Sequence, residues 1–143
     1  MKPFSMEPVL RYRQQLEDEA RQKLFADLEK EEEIRAELKR TADSLSGLYA
    51  DLTLERTQGT TVDRLLLFEH HMVIKQEKIE LLQADLEKQE KVVERRRRHL
   101  LQTSQDKKAL EKLKERQNLA YKKYRDKKEA AMLDEIAVLR YSR

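Results

Sequence analysis

The residues best suited to catalysis or metal binding are Glu69, His70 and His71, in a chain with three histidines and no cysteine. Metal pairs on a helix need two ligands on one face, three or four residues apart. Neither histidine has a second histidine or a carboxylate at that spacing, and adjacent helical residues point about 100° apart. They read as solvent-facing or seam-edge side chains. The 28 carboxylates are spread along polar stretches, where no cleft would tune one for acid or base work. Without cysteine there is no thiol nucleophile, disulfide or cysteine-based zinc site, and a reducing compartment is compatible. No glycine-rich loop offers a phosphate cradle. These features point to a protein that is not an enzyme and needs no cofactor or metal.

The strongest charge run is Arg95-Arg96-Arg97-Arg98. Such a run suits a phosphate backbone or an anionic lipid surface. Four consecutive residues splay around a helix, however, and acidic residues elsewhere are expected to neutralise some of them. Pairing within the chain plus a protein contact is therefore expected, and nucleic acid is not.

The elements that would carry these residues are long helices. The chain has 143 residues, 41% of them charged and 38% apolar, with no Trp. Ordinary domains are about one quarter charged, so a broad core is excluded and a narrow seam between helices is favoured. Of the two Gly and two Pro, three lie at positions 3, 8 and 59. The spacing predicts one helix over 8–57, started by Pro8, with Leu24, Leu28, Leu38, Ala42, Leu45, Tyr49 and Leu52 on its apolar stripe. Gly47 is a weak spot in it. Residues 58–61 form a turn, where Gly59 ends the first helix and Thr60 with Asp63 resembles a capping box. The second helix is predicted over 62–140, with Leu65, Phe68, Met72, Ile79, Leu82, Leu86, Val93, Leu100 and Leu110 on its stripe. The fold class expected is all-α, an antiparallel coiled coil within a single domain spanning 1–143.

A short turn makes the helices antiparallel. Facing residues whose numbers sum to about 117 match apolar to apolar: Leu52 with Leu65, Tyr49 with Phe68, Leu45 with Met72, Leu38 with Ile79, Leu24 with Val93. The same register sets Glu17, Asp18 and Glu19 near Arg97, Arg98 and His99. Polar seam positions fall at Glu31, Arg35, Lys75, Gln89, Arg96, Thr103 and Lys107, where they cost stability and help fix register. A firm end near the turn and a softer one towards the termini follow.

Charge is divided along the chain. Residues 1–87 hold 13 basic and 19 acidic side chains, and residues 88–143 hold 18 and 9. The opposite signs favour folding back. In the expected register the second helix has no partner from about residue 112, giving a C-terminal helical overhang. It keeps Leu113, Ala120, Tyr121, Tyr124, Leu133 and Ile136 among many lysines and arginines, the pattern of a docking helix. No stretch approaches the roughly 20 apolar residues of a membrane span, and residues 1–8 lack the apolar core of a signal peptide.

Three segments carry a family resemblance. Phe4-Ser5-Met6-Glu7-Pro8-Val9-Leu10-Arg11-Tyr12-Arg13 resembles the N-terminal signature of the FliJ family of flagellar export proteins. Ala109 to Arg116 and Leu133 to Ala137 resemble its two C-terminal signatures, in the same order and near full-length coverage. YscO-type injectisome proteins are close relatives. The resemblance implies a coiled-coil stalk on the cytoplasmic side of the membrane, linking a hexameric export ATPase (FliI-like) to an export gate protein (FlhA-like) and assisting export chaperones. It implies gate contacts at Phe68, His71, Met72, Lys75 and Ile79. ATPase contacts are implied at Leu110, Leu113, Arg116, Tyr124, Leu133, Asp134 and Ile136. The rival readings are a generic scaffold coiled coil and a basic arm that binds nucleic acid.

Overall fold

A computed structural model describes residues 4–142; the reading of Pro3 as a breaker lies outside them. Helix α1 runs Glu7–Gln58 and helix α2 runs Val62–Tyr141, with no strand among the described residues. The fold is all-α, two long helices packed antiparallel against each other. They divide into two compact units, one joining residues up to Arg21 with those from His99 onward, the other spanning Gln22–Arg98.

The turn belongs to the second unit. Gly59 takes φ +90°, the left-handed conformation that suits a residue without a Cβ. The helix start differs from expectation. The Thr61 hydroxyl, not that of Thr60, accepts the Arg64 N–H at 3.3 Å and caps α2. Thr60 instead donates to Glu55 at 3.0 Å, and the Arg64 guanidinium binds the same carboxylate. The turn is thus closed by a Glu55, Thr60 and Arg64 clasp, which pulls the Glu55 carboxyl below its ordinary range, chiefly through the bond from Arg64.

On α2 the seam follows the expected stripe, with Ile79, Gln89 and Val93 buried and Leu65, Phe68, Met72, Lys75, Leu82, Leu86 and Arg96 half-buried. On α1 three seats change. Thr41 is buried where Ala42 was expected, and Leu48 is half-buried while Tyr49 is 54% exposed. The true steps run 38, 41, 45, 48, 52. Thr41 can fill a seam seat because its hydroxyl donates to the Glu37 carbonyl at 2.8 Å, which removes the cost of burying it. Likewise Ile34 takes the seat given to Arg35, which is exposed and bridges Glu31 and Glu90, each at 2.8 Å.

Register in this unit is fixed by a side chain on a main chain: the Gln89 amide donates to the Asp27 carbonyl at 2.8 Å, numbers that sum to 116. Glu37 with Lys78 sums to 115, whereas some ion pairs across the seam sum higher, as in Asp27 with Arg96 at 2.8 Å and Glu17 with Lys107 at 3.1 Å. The cause is that every helical side chain leans towards its own N-terminus. In an antiparallel pair the two lean towards each other when their sum exceeds that of the facing residues. The expected partnering of Glu17, Asp18 and Glu19 with residues 97–99 ignored this lean. Glu17 goes to Lys107 and Arg21, Asp18 accepts from Gln14 and Glu19 from Gln15, and Arg98 reaches Glu94 on its own helix.

In the first unit pairing continues further than expected. Lys114 binds Glu7 at 3.0 Å, and the Phe4 N–H donates to Asn118 at 3.3 Å. Arg13 reaches Asp106 at 3.5 Å. Every described residue after Tyr121 is exposed. The overhang therefore begins at about residue 122, not 112.

Candidate functional site

The residues expected to meet partners fall in two regions, one beside the turn and one at the end of α2. Beside the turn, four of the five expected gate residues turn out to be seam residues. Ile79 is only 9% exposed, and Phe68, Met72 and Lys75 are half-buried at seam positions. Only His71 is fully exposed. Ile79 therefore holds the helices together and offers little to a partner.

Three of the five are also parted between two grooves. One, of about 520 Å³, is lined by Tyr49, Leu52, Leu65, Met72 and Val73 with Arg56, Glu69 and Gln76 at its polar margin. The other, of about 120 Å³, is lined by Leu48, Arg64, Leu67, Phe68 and His71. Met72 thus lies in a different groove from Phe68 and His71, and Phe68 shares its groove with Leu48 rather than with Tyr49. The larger groove is apolar because the 3–4 steps of both helices leave Leu52 and Leu65 at the seam edge. Sequence reasoning passed over Leu67, Val73 and Ile74, which are exposed. Their signal was an apolar residue off the seam, on a helix otherwise polar there.

At the other region the expected ATPase contacts divide as well. Leu110 and Leu113 are half-buried in the paired part of the first unit, with Arg116 exposed beside them. Tyr124, Leu133, Asp134 and Ile136 lie in the exposed overhang. They do not form one stripe. Leu113 and Tyr124, eleven residues apart, share a face, whereas nine residues from Tyr124 to Leu133 turn about 180°. Around Leu133 the apolar side chains Met132, Ile136, Val138 and Leu139 are all exposed, and they leave only Asp134 and Glu135 as polar interruptions between 130 and 139. That end of α2 is apolar on nearly every side.

His70 and His71 sit as a tilted pair with ring centroids 6.2 Å apart. Among the described residues no group of three or more His, Asp or Glu is placed to hold a metal ion. Among the described residues no helix is long and apolar enough to cross a membrane.

The first unit hides one charged group. Glu17 is 4% exposed in the seam. Burial alone would raise its pKa, but bonds from Lys107 and Ser104 and the charges of Lys107 and Arg21 outweigh this and lower it. Glu37, bound by Lys78 and Arg40 at 2.6 Å each, is held down at about 2, chiefly by the bond from Lys78.

Comparison with known proteins gives a single family. The whole chain, residues 1–143, matches the family described as flagellar FliJ protein. No curated protein sequence matches it. Among solved structures, a Chlamydia trachomatis protein reported as a YscO homologue is similar, with 20% identity over 99% of this chain and 96% of that one and a TM-score of 0.48.

Proposed function

The chain belongs to the flagellar FliJ family, an export-associated class, and from this premise we propose that it is a non-enzymatic stalk. In this reading it links the hexameric export ATPase to the membrane export gate, assists export chaperones, and works at the cytoplasmic side of the membrane. The observation that carries the reading is the end of α2. A helix apolar on nearly all sides is stable in water only when something surrounds it, and an isolated helix of about 20 residues is marginal. The channel of a ring-shaped ATPase is a partner of that form. Lys122, Lys123, Arg125, Lys127 and Lys128 precede the apolar end and would steer it to an acidic rim.

The test is truncation after Tyr121, which keeps the Lys114 pair with Glu7 and the Asn118 bond to Phe4. The truncated chain is expected to retain its helical pairing by circular dichroism and to lose binding to, and stimulation of, the cognate export ATPase. Full stimulation by the truncated chain sinks the stalk reading.

A further inference from the structure

Lys88, Lys91, Arg95 and Arg98 succeed one another along α2 at steps of three, four and three, which return to one side of a helix. The seam residues of this stretch are Leu86, Gln89, Val93 and Arg96, so the four cations lie on the side of α2 turned away from α1. All four are exposed. With Val92 and the single carboxylate Glu94 they line an open groove of about 590 Å³. Lys88, Lys91 and Arg95 enter no ion pair among the described residues, and Arg98 meets only Glu94, at 3.4 Å. The run of four arginines concealed this row. Arg96 is spent on Asp27, Arg97 points elsewhere, and two lysines outside the run complete the row.

We propose that this row is the contact by which the Gln22–Arg98 unit lies on an anionic lipid surface, with headgroup phosphates as its ligands. It extends about 15 Å along a helix, the form that meets a flat sheet of charge. Each Lys or Arg close to such a sheet adds its own attraction, which fades within a Debye length. In the same unit α1 carries exposed Glu29, Glu32 and Glu33 away from the seam, also without ion pairs. An anionic surface repels that face, so the charge distribution selects which side turns towards the lipid. Nucleic acid fits less well. No aromatic residue lies between 83 and 98 to stack on a base.

The proposal deepens the membrane-side location given above and rests on that part of the reading alone. Its test is sedimentation of the full chain with phosphatidylcholine vesicles, with and without phosphatidylglycerol, at low and high salt. Binding is expected only with phosphatidylglycerol, and it should fall as salt rises. The triple change Lys88→Gln, Lys91→Gln and Arg95→Gln should weaken it about a hundredfold, one tenfold step for roughly each 1.4 units of energy in kcal/mol at about one per charge. Helicity and ATPase stimulation should be unchanged. A charge-matched triple change at Lys122, Lys123 and Lys127 should leave vesicle binding nearly intact. The proposal is overturned by equal binding to neutral vesicles, by an equal loss from both triple changes, or by duplex DNA being bound where vesicles are not. ATPase stimulation is measured separately, so failure at the vesicle leaves the stalk reading standing.

Discussion

Gly47 lies within an unbroken helix, and a Cβ built there meets nothing within 4 Å. Its φ is not positive, whereas that of Gly59 is +90°. The same substitution should therefore act in opposite directions at the two glycines. Gly47→Ala should raise stability by about 0.5–1 kcal/mol, because it removes chain freedom from the unfolded state and improves helix propensity. Gly59→Ala should cost about 1–2 kcal/mol, because an L residue resists the left-handed conformation. Urea denaturation of the two variants checks both signs, and a destabilised Gly47→Ala would show that the helix needs a break there. The sequence disclosed Gly59 as a turn because it stands alone between two periodic stretches. It did not disclose Thr61 as the cap, since adjacent threonines are equivalent until one hydroxyl is seen to meet Arg64 and the other Glu55.

Along an element, what was legible was period, and what was hidden was polar occupancy. The α2 stripe could be read from Leu65 to Leu110, polar seats included, because Lys75, Gln89, Arg96, Thr103 and Lys107 fall between unmistakable apolar ones. On α1 Ala42 and Tyr49 look better suited to a seam than Thr41 and Leu48, or equally so, and apolar counting alone chose wrongly. The lean of side chains towards their own N-termini likewise lies outside a facing-residue count, and it moves Glu17 from residues 97–99 to Lys107. These polar seats have a consequence for acid. Glu17, Glu37 and Glu55 all have folded pKa values below the ordinary 4.5, Glu37 at about 2. A depressed carboxylate stabilises the fold fully above its unfolded pKa and ceases to do so as pH falls through its folded value. Thermal midpoints should thus be level above about pH 4.5 and decline between there and pH 2. Glu17→Gln should flatten part of that decline while lowering the midpoint at neutral pH, because Lys107, 16% exposed in its side chain, loses its nearer carboxylate and keeps only Glu111 at 3.9 Å. A flat profile from pH 5 to 2 in the unaltered chain would show that these pairs do not couple to folding.

Taken whole, the molecule carries the regions expected to meet the gate and the ATPase in different units, the grooves beside the turn in one and the overhang in the other. Composition favoured two long helices folded back on each other, through few breakers and a sign change in charge. It could not say which residues near the turn remain free, because a seam residue and a surface anchor are both apolar in one dimension. Phe68, Met72 and Ile79 attract attention for the same reason that they are largely used up in packing. His71 is the member left exposed, beside Phe68 and Leu67 in the smaller groove. His71→Glu is accordingly the change that separates partner binding from folding. It places a carboxylate four residues before Lys75, a spacing that mildly favours the helix, so circular dichroism should be unchanged. A charge set against an apolar groove should weaken affinity for an export gate protein about tenfold or more. Stimulation of the export ATPase, assigned to the other unit, should survive. The truncation after Tyr121 should do the reverse, keeping gate affinity and losing stimulation. If gate affinity and helicity fall together in His71→Glu, the groove is structural. If gate affinity does not move at all, the gate contact lies elsewhere, and the larger groove around Tyr49 and Val73 becomes the surface to alter next.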